Sequence, residues 1–236
     1  MIPWQIIDTA IVPGGGELRL KRRGSEFSIM TGPIELMNSR LSGSEEALAR
    51  LTCAPLAGHD APHILIGGLG MGFTLRAALG LLGASARVTV AELVPAVVAW
   101  GRGPMAEVFG TSLTDPRVAI VEGDVGALMA TAKTAYDAIL LDVDNGPEGL
   151  SRPANDSLYA LAGLAAARRA LRPGGALAVW SSAPDDRFTR RLGQAGFAVK
   201  VERPHAGRGR GARHVIWLAT PNEPGRRAAG KAPRRP

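Results

Sequence analysis

The chain has 236 residues, of which 46% are hydrophobic and 21% are charged, as expected for a soluble globular protein with a sizeable core. Cys53 is its only cysteine, so the sequence excludes an intrachain disulfide and favours a cytoplasmic location. No apolar run approaches the roughly 20 residues of a membrane-spanning helix, and the first residues do not follow the pattern of a secretory signal peptide.

The net charge of +7 is unevenly distributed along the chain. Residues 221–236 hold five basic side chains and one acidic side chain, a net +4, which leaves about +3 for the rest. Because this tail is rich in Pro, Gly and Ala, we expect it to be disordered. We favour a solubilising role, with binding to an anionic partner as the alternative, and we do not expect a nucleic-acid partner.

Residues 1–60 are predicted to form a small β unit followed by a linking helix. Alternation of polar and apolar residues predicts strands at 17–22, 26–30 and 34–37, with a hairpin turn at 23–25. Ser42 to Glu45 matches a capping box, which predicts a helix that ends at Cys53.

Residues 61–220 alternate between strand and helix patterns. The predicted strands are 63–66, 88–91, 118–121, 138–141, 176–180, 198–201 and 215–219, and the predicted helices are 73–82, 95–105, 125–131, 157–171 and 186–195. The last two strands have no helix between them, which favours a closing β-hairpin. This order predicts an α/β, Rossmann-like, seven-stranded sheet of the class I methyltransferase type, preceded by the small N-terminal β unit.

A glycine cluster follows the first strand of this second region. Gly68, Gly70 and Gly72 form G-x-G-x-G, and glycine there permits unusual dihedral angles and close approach of a ligand to the backbone. The dinucleotide fingerprint would place its third glycine at Phe73. Glu92, twenty residues after Gly72, ends the second strand, where it can accept hydrogen bonds from ribose hydroxyls. The pattern predicts a bound nucleoside cofactor.

Three further acids follow strands of the same region. Asp124 can accept a hydrogen bond from an adenine amino group, with Val125 packing on the ring, or it can simply cap the next helix. Asp142 ends a strand of four apolar residues, where it can orient or deprotonate an acceptor amine or hydroxyl. Asp144 is expected to help orient the acceptor, and a turn cluster is the alternative for both residues. No Cys or acid lies at metal-ligand spacing from a histidine, so no metal site is predicted.

Together these residues resemble the spermidine synthase-like family, over nearly the whole chain up to about Ala219. The matching positions are Gly68, Gly70 and Gly72 for the amino acid-derived end of the cofactor, Glu92 for the ribose, Gly123 and Asp124 for the adenine, Asp142 for catalysis, and Tyr159 after the gatekeeping loop at 143–156. The resemblance also suggests a homodimer.

The chain departs from this family at two places. Aminopropyltransferases carry an aspartate where Gly70 stands, and a tyrosine-and-acid pattern where this chain reads GSEEALARL. Because glycine leaves room for a carboxylate, we predict S-adenosyl-L-methionine as the cofactor and methyl transfer to a small-molecule amine or hydroxyl acceptor. The alternatives are aminopropyl transfer from decarboxylated S-adenosylmethionine, a nucleoside-binding protein without turnover, and a nicotinamide-dependent oxidoreductase.

Overall fold

Two β-sheets organise the chain, a four-stranded antiparallel sheet and a seven-stranded mixed sheet. The computed structural model describes residues 2–143, 146–147, 157–207 and 211–222. The predicted disordered tail lies outside these ranges from Glu223 onward, so its disorder stays a prediction. Within the described residues, no helix is both long and apolar enough to cross a membrane.

The N-terminal sheet pairs its four strands in chain order. Its strands are β1 (Gln5–Ile11), β2 (Glu17–Arg23), β3 (Glu26–Thr31) and β4 (Ile34–Asn38). The three predicted strands correspond to β2, β3 and β4 and are confirmed. Leu18 and Leu20 are both buried because alternate side chains of β2 lie on the same face. β1 was not predicted, since nearly all of its residues are exposed and it lacks a buried face. Its antiparallel pairing with β2 defines it.

Helix α1 (Gly43–Cys53) links the two sheets. Ser42 is its N-cap, but the predicted capping box is wrong. The Ser42 hydroxyl donates to Glu46 Oε1 at 2.8 Å, and no side-chain hydrogen bond caps the helix. Glu45 is instead partly buried. The predicted boundary near residue 60 falls in the connection to the second sheet, and the division into domains stays a prediction.

The seven-stranded sheet has the order β10-β11-β9-β8-β5-β6-β7. Its strands are β5 (His63–Gly67), β6 (Arg87–Glu92), β7 (Val118–Glu122), β8 (Tyr136–Leu141), β9 (Leu171–Ser181), β10 (Phe197–Glu202) and β11 (Val215–Pro221). β11 runs antiparallel to both β9 and β10, while β5 pairs in parallel with β6 and β8. The predicted fold class, including the closing hairpin, is therefore confirmed.

Helices cover this sheet and leave its central strands fully buried. They are α2 (Phe73–Leu81), α3 (Pro95–Arg102), α4 (Ala106–Phe109), α5 (Val125–Thr131), α6 (Leu161–Ala170) and α7 (Asp186–Gln194). Ile64, Leu65 and Ile66 of β5 are 0% exposed, and burying such side chains stabilises the fold by about 1.5–3 kcal/mol each.

Four predicted helices end one to three residues later than the helices of the structure. The helix predicted at 95–105 ends at Arg102, because Gly103 and Pro104 do not continue it, and the short helix α4 follows. The helix predicted to reach Leu171 ends at Ala170. Leu171 already pairs with Tyr136 and belongs to β9.

The order of the strands fixes the position of the site. The chain winds outward from β5 in both directions, which makes the gap between the ends of β5 and β8 the topological switch point, where open α/β sheets bind ligands. The N-terminal sheet lies over this edge, since the indole N–H of Trp100 in α3 donates to Asp8 of β1 at 2.7 Å.

Candidate active site

A cavity of about 430 Å³ lies between the N-terminal sheet and the carboxyl ends of the central strands. Most of the predicted site residues line it. They are Gly68, Gly70, Glu92, Gly123, Asp124, Val125 and Asp142. Gly72 and Tyr159 are not among its lining residues. Asp144 lies outside the described residues, so its role stays a prediction.

The glycine loop needs glycine because its backbone is crowded and left-handed. Gly68 has φ +89°, and a Cβ placed there would overlap the carbonyl oxygen of Asp142. Gly72 has φ +73° and backs onto the ring of Phe109, 2.5 Å from such a Cβ. Gly72 therefore shapes the turn that begins α2, whereas Gly68 brings the backbone to the cavity.

Gly70 faces a side chain of the N-terminal sheet. A Cβ built on Gly70 would lie 3.0 Å from Met37 Sδ, and Met37 also lines the cavity. A side chain at position 70 would therefore press against this thioether, whereas Gly70 leaves its backbone at the cavity wall. This contact was not predictable from the sequence, because it joins two sheets that are distant along the chain.

Glu92 ties the glycine loop to the next strand end. Its Oε2 accepts a hydrogen bond from the Leu69 N–H at 2.8 Å, and its Oε1 accepts one from the Val94 N–H at 2.9 Å. The side chain is buried yet lines the cavity. Because each carboxylate oxygen offers two lone pairs, Glu92 can hold the loop and still accept from ligand hydroxyls.

Asp124 caps α5, as one of the two sequence interpretations predicted. Its Oδ1 accepts from the Gly126 N–H at 2.8 Å. Asp124 and the neighbouring Val125 also line the cavity, so capping and contact with a ligand are compatible. The adenine role of both residues stays a prediction.

Asp142 lies at the switch point, directly after β8. Its backbone N–H donates to the Gly67 carbonyl at 2.9 Å, and its Oδ2 accepts a hydrogen bond from Thr74 Oγ1 at 2.6 Å. Burial and the charge of Glu45 raise the pKa of Asp142 to about 7, against the lowering effect of the Thr74 hydrogen bond. This carboxylate can therefore exchange a proton near neutral pH.

Tyr159 packs in the core beside the site. It is 2% exposed, its ring meets that of Phe188 edge to face, and its hydroxyl donates to the Val143 carbonyl at 3.4 Å. Tyr159 therefore contacts Val143, the residue after Asp142. A direct catalytic role for Tyr159 stays a prediction.

The sequence analysis missed the groups behind Asp142. Ser44 and Glu45 of α1 lie near His214, which stands just ahead of β11. Burial raises the pKa of Glu45 and lowers the pKa of His214. Among the described residues no group of three or more His, Cys, Asp or Glu side chains could hold a metal ion.

The wall contributed by the N-terminal sheet is largely apolar. Its hydrophobic members are Val12, Leu18, Ile29, Ile34, Leu36 and Met37. The acids of the cavity that the structure describes all come from the strand ends of the other sheet, namely Glu92, Asp124 and Asp142. The cavity can therefore hold a cationic group at one side and an apolar body against the other.

The fold defines a Rossmann-like α/β protein of the class I methyltransferase type. No protein-family model matches the chain. Its sequence is 31% identical over 200 residues to a polyamine aminopropyltransferase of Mycobacterium tuberculosis, covering 80% of this chain and 36% of that protein. It is 34% identical over 127 residues to polyamine aminopropyltransferase 1 of Streptomyces coelicolor, covering 52% of this chain and 23% of that protein.

A solved structure shares the fold. The crystal structure of spermidine synthase from Thermotoga maritima superposes with a TM-score of 0.71 at 17% identity, covering 91% of this chain and 72% of that one. The chain belongs to the spermidine synthase-like family, as the sequence motifs indicated. It spans only about a third or less of the length of the curated relatives it matches.

The prediction of methyl transfer is wrong. The relatives are named polyamine aminopropyltransferases. The prediction of intact S-adenosyl-L-methionine as the cofactor therefore has no support either.

Proposed function

We propose that the chain is an aminopropyltransferase, which transfers the aminopropyl group of decarboxylated S-adenosylmethionine to an amine acceptor. The names of the sequence relatives support this function. The observation that carries it is Asp142, a carboxylate with a pKa near 7 on the wall of the cavity.

The chemistry needs such a group. An alkyl amine has a pKa near that of a lysine side chain, about 10, and is an ammonium ion at neutral pH. It attacks carbon only after losing a proton, and Asp142 is placed to accept that proton. As the new N–C bond forms, the C–S bond of the sulfonium breaks and its electron pair remains on sulfur. The products are a longer polyamine and the neutral thioether nucleoside.

The other cavity acids are suited to the donor. We propose that the Glu92 carboxylate accepts hydrogen bonds from the ribose hydroxyls, and that Asp124 accepts one from the adenine amino group. Val125 would pack on the adenine ring. Since binding must align the acceptor nitrogen with the C–S bond, much of the rate enhancement comes from orientation. The acceptor is a small molecule, and a homodimer stays a prediction.

Ligand binding and product analysis test this function. Calorimetry should show tighter binding of decarboxylated S-adenosylmethionine than of S-adenosylmethionine. Mass spectrometry of reactions with a series of diamines should show a product one aminopropyl group heavier, together with an equal amount of methylthioadenosine. Asp142→Asn is the matched control, since it should bind the donor and form little product. Binding of the donor by the wild type without product from any diamine would refute the proposal.

A further inference from the structure

Strand β4 leaves large apolar side chains uncovered on the wall of the cavity. Ile34, at the start of this strand, is 39% exposed, and Leu36 and Met37 are only partly buried. All three line the cavity. Leu18 and Ile29 of the same wall are 6% and 0% exposed, so the protein core covers them. The apolar surface of β4 is therefore available to a bound molecule, and covering it would favour binding.

This surface lies next to the proposed base. Met37 Sδ lies 3.0 Å from a Cβ built on Gly70, and a Cβ built on Gly68 would overlap the carbonyl oxygen of Asp142. The glycine loop thus contacts β4 on one side and the end of β8 on the other. Val143, the residue after Asp142, lines the cavity as well. An amine bound at the Asp142 carboxylate therefore has apolar side chains within reach.

The acids of the N-terminal sheet are absent from the described lining of the cavity. Each of them contacts another side chain of the protein. Glu17 pairs with Arg19 at 3.3 Å, Glu26 with Arg23 at 2.6 Å and Glu35 with Arg40 at 3.2 Å, and Asp8 accepts the hydrogen bond of the Trp100 indole. The proposed function assigns the three acids at the strand ends to the donor and to the reacting nitrogen. Among the described residues, a second ammonium group on the acceptor would therefore find no carboxylate on this wall.

We propose that the preferred acceptor is an amine whose far end is apolar and uncharged, such as an alkylamine, and that β4 supplies the surface that selects it. The inference deepens the proposed function and rests on it, since it names the acceptor of the same transfer. The ammonium loses its proton to Asp142, the N–C bond forms, and the C–S bond breaks with its electron pair left on sulfur. The apolar body of the acceptor covers Ile34, Leu36 and Met37. A diamine reacts in the same way, but its second ammonium lies against this wall, where burial without a paired anion is unfavourable.

Amines of matched length test this selectivity. From butylamine to hexylamine to octylamine, kcat/KM should rise about fourfold for each methylene that the wall covers. Near pH 7, where the amino groups of both compounds are protonated, hexylamine should exceed the diamine with the same carbon chain by roughly tenfold or more. An equal or higher kcat/KM for the diamine would overturn the inference and leave aminopropyl transfer itself in place.

A charge placed in the wall should reverse the preference. Ile34→Asp offers an anion to a second ammonium group, so kcat/KM should fall for hexylamine and rise for the matched diamine. Ile11→Asp is the matched control, because Ile11 is 74% exposed in β1 and lies outside the described lining of the cavity. This control should keep the wild-type preference. The same preference in both variants would show that β4 does not contact the acceptor, and the inference would fail.

A binding measurement that needs no turnover separates this inference from the proposed function. Calorimetry in the presence of methylthioadenosine should show that the wild type binds hexylamine more tightly than the matched diamine, and that Ile34→Asp does not. Equal affinities of the wild type for the two amines overturn the inference. If no amine yields an aminopropyl product, the proposed function fails, and the calorimetric comparison still decides whether the wall selects an apolar amine.

Discussion

Thr74 Oγ1 donates a 2.6 Å hydrogen bond to Asp142 Oδ2, and this contact joins the first turn of α2 to the end of β8. The glycine loop precedes α2 directly, so the hydrogen bond couples Asp142, the proposed base, to this loop. It also opposes the two influences that raise the pKa of Asp142, which are burial and the charge of Glu45. The pKa of Asp142 is thus a balance between burial and two neighbours, Glu45 and Thr74.

Removal of the Thr74 hydroxyl should shift this balance upward. The hydrogen bond favours the ionised carboxylate, so Thr74→Val raises the pKa of Asp142 further above its ordinary value. A larger share of the enzyme then carries a protonated Asp142 at pH 7, and the acid limb of kcat moves to higher pH. A kcat–pH profile measures this shift.

Thr52→Val provides the control for this shift. Thr52 is also a buried threonine, but its hydroxyl donates to the Leu48 carbonyl within α1. Its loss should lower stability without moving the pH profile. A Thr74→Val profile that coincides with that of Thr52→Val would disprove the coupling.

Asp142→Asn should lower kcat and raise the stability of the fold above pH 7. Loss of the proton acceptor should reduce kcat by roughly 10²–10⁴-fold. The pKa of Asp142 is raised on folding, so its contribution to stability is fully present below the unfolded pKa and is lost as pH rises from about 4 through about 7. An asparagine has no such loss, and above pH 7 the variant should be more stable than the wild type by about 1–3 kcal/mol.

Urea denaturation at several pH values measures the difference in stability between the wild type and Asp142→Asn. Between pH 7 and pH 4 the wild type should gain stability relative to Asp142→Asn, so the two curves converge at low pH. Parallel curves over that interval would mean that Asp142 carries no raised pKa in the folded protein.

The position of the cavity acids could be predicted from the local sequence. The residues that surround these acids could not be predicted in this way. Asp142 and Glu92 each end an apolar strand, and strand ends meet at one edge of a parallel sheet wherever the helices pack. The contact between Ser44 and His214 spans 170 positions in sequence. No periodicity signals such a pair, because only the packing of α1 against the closing hairpin brings them together.

The error over the transferred group has a similar origin. A sequence shows that position 70 has no side chain. It does not show which side chain from another part of the fold lies beside that position. Met37 comes from the other sheet, and only the folded chain places its sulfur against Gly70. β1 was missed for a different reason, since an exposed strand has no burial pattern that a sequence could display.

Glu92→Gln should lower the affinity of the cavity for the donor. The amide retains one acceptor oxygen, so either Leu69 or Val94 loses its carboxylate partner and its N–H faces an NH₂ group. A lost hydrogen bond to a charged acceptor costs about 1.5–3 kcal/mol, and donor affinity should fall by at least tenfold. Calorimetry with decarboxylated S-adenosylmethionine measures this loss.

The neighbouring strand offers a matched control for Glu92. Glu122 stands in register with Glu92 at the end of β7, but it is exposed. Glu122→Gln should bind the donor as the wild type does. Equal affinity in the Glu92 and Glu122 variants would show that Glu92 neither holds the loop nor contacts the donor.

Alanine at two glycines should give opposite changes in stability. Gly68→Ala places a methyl group against the Asp142 carbonyl and forces a left-handed φ of +89°, so it should destabilise the fold by about 2–4 kcal/mol. Gly80 is exposed within α2 and has nothing within 4 Å of an added Cβ, so Gly80→Ala should stabilise the fold by about 0.5–1 kcal/mol. Thermal denaturation of both variants checks the contrast. A Gly68→Ala protein as stable as the wild type would mean that the loop does not approach Asp142 as closely as the structure shows, and the coupling between the loop and the base would fail with it.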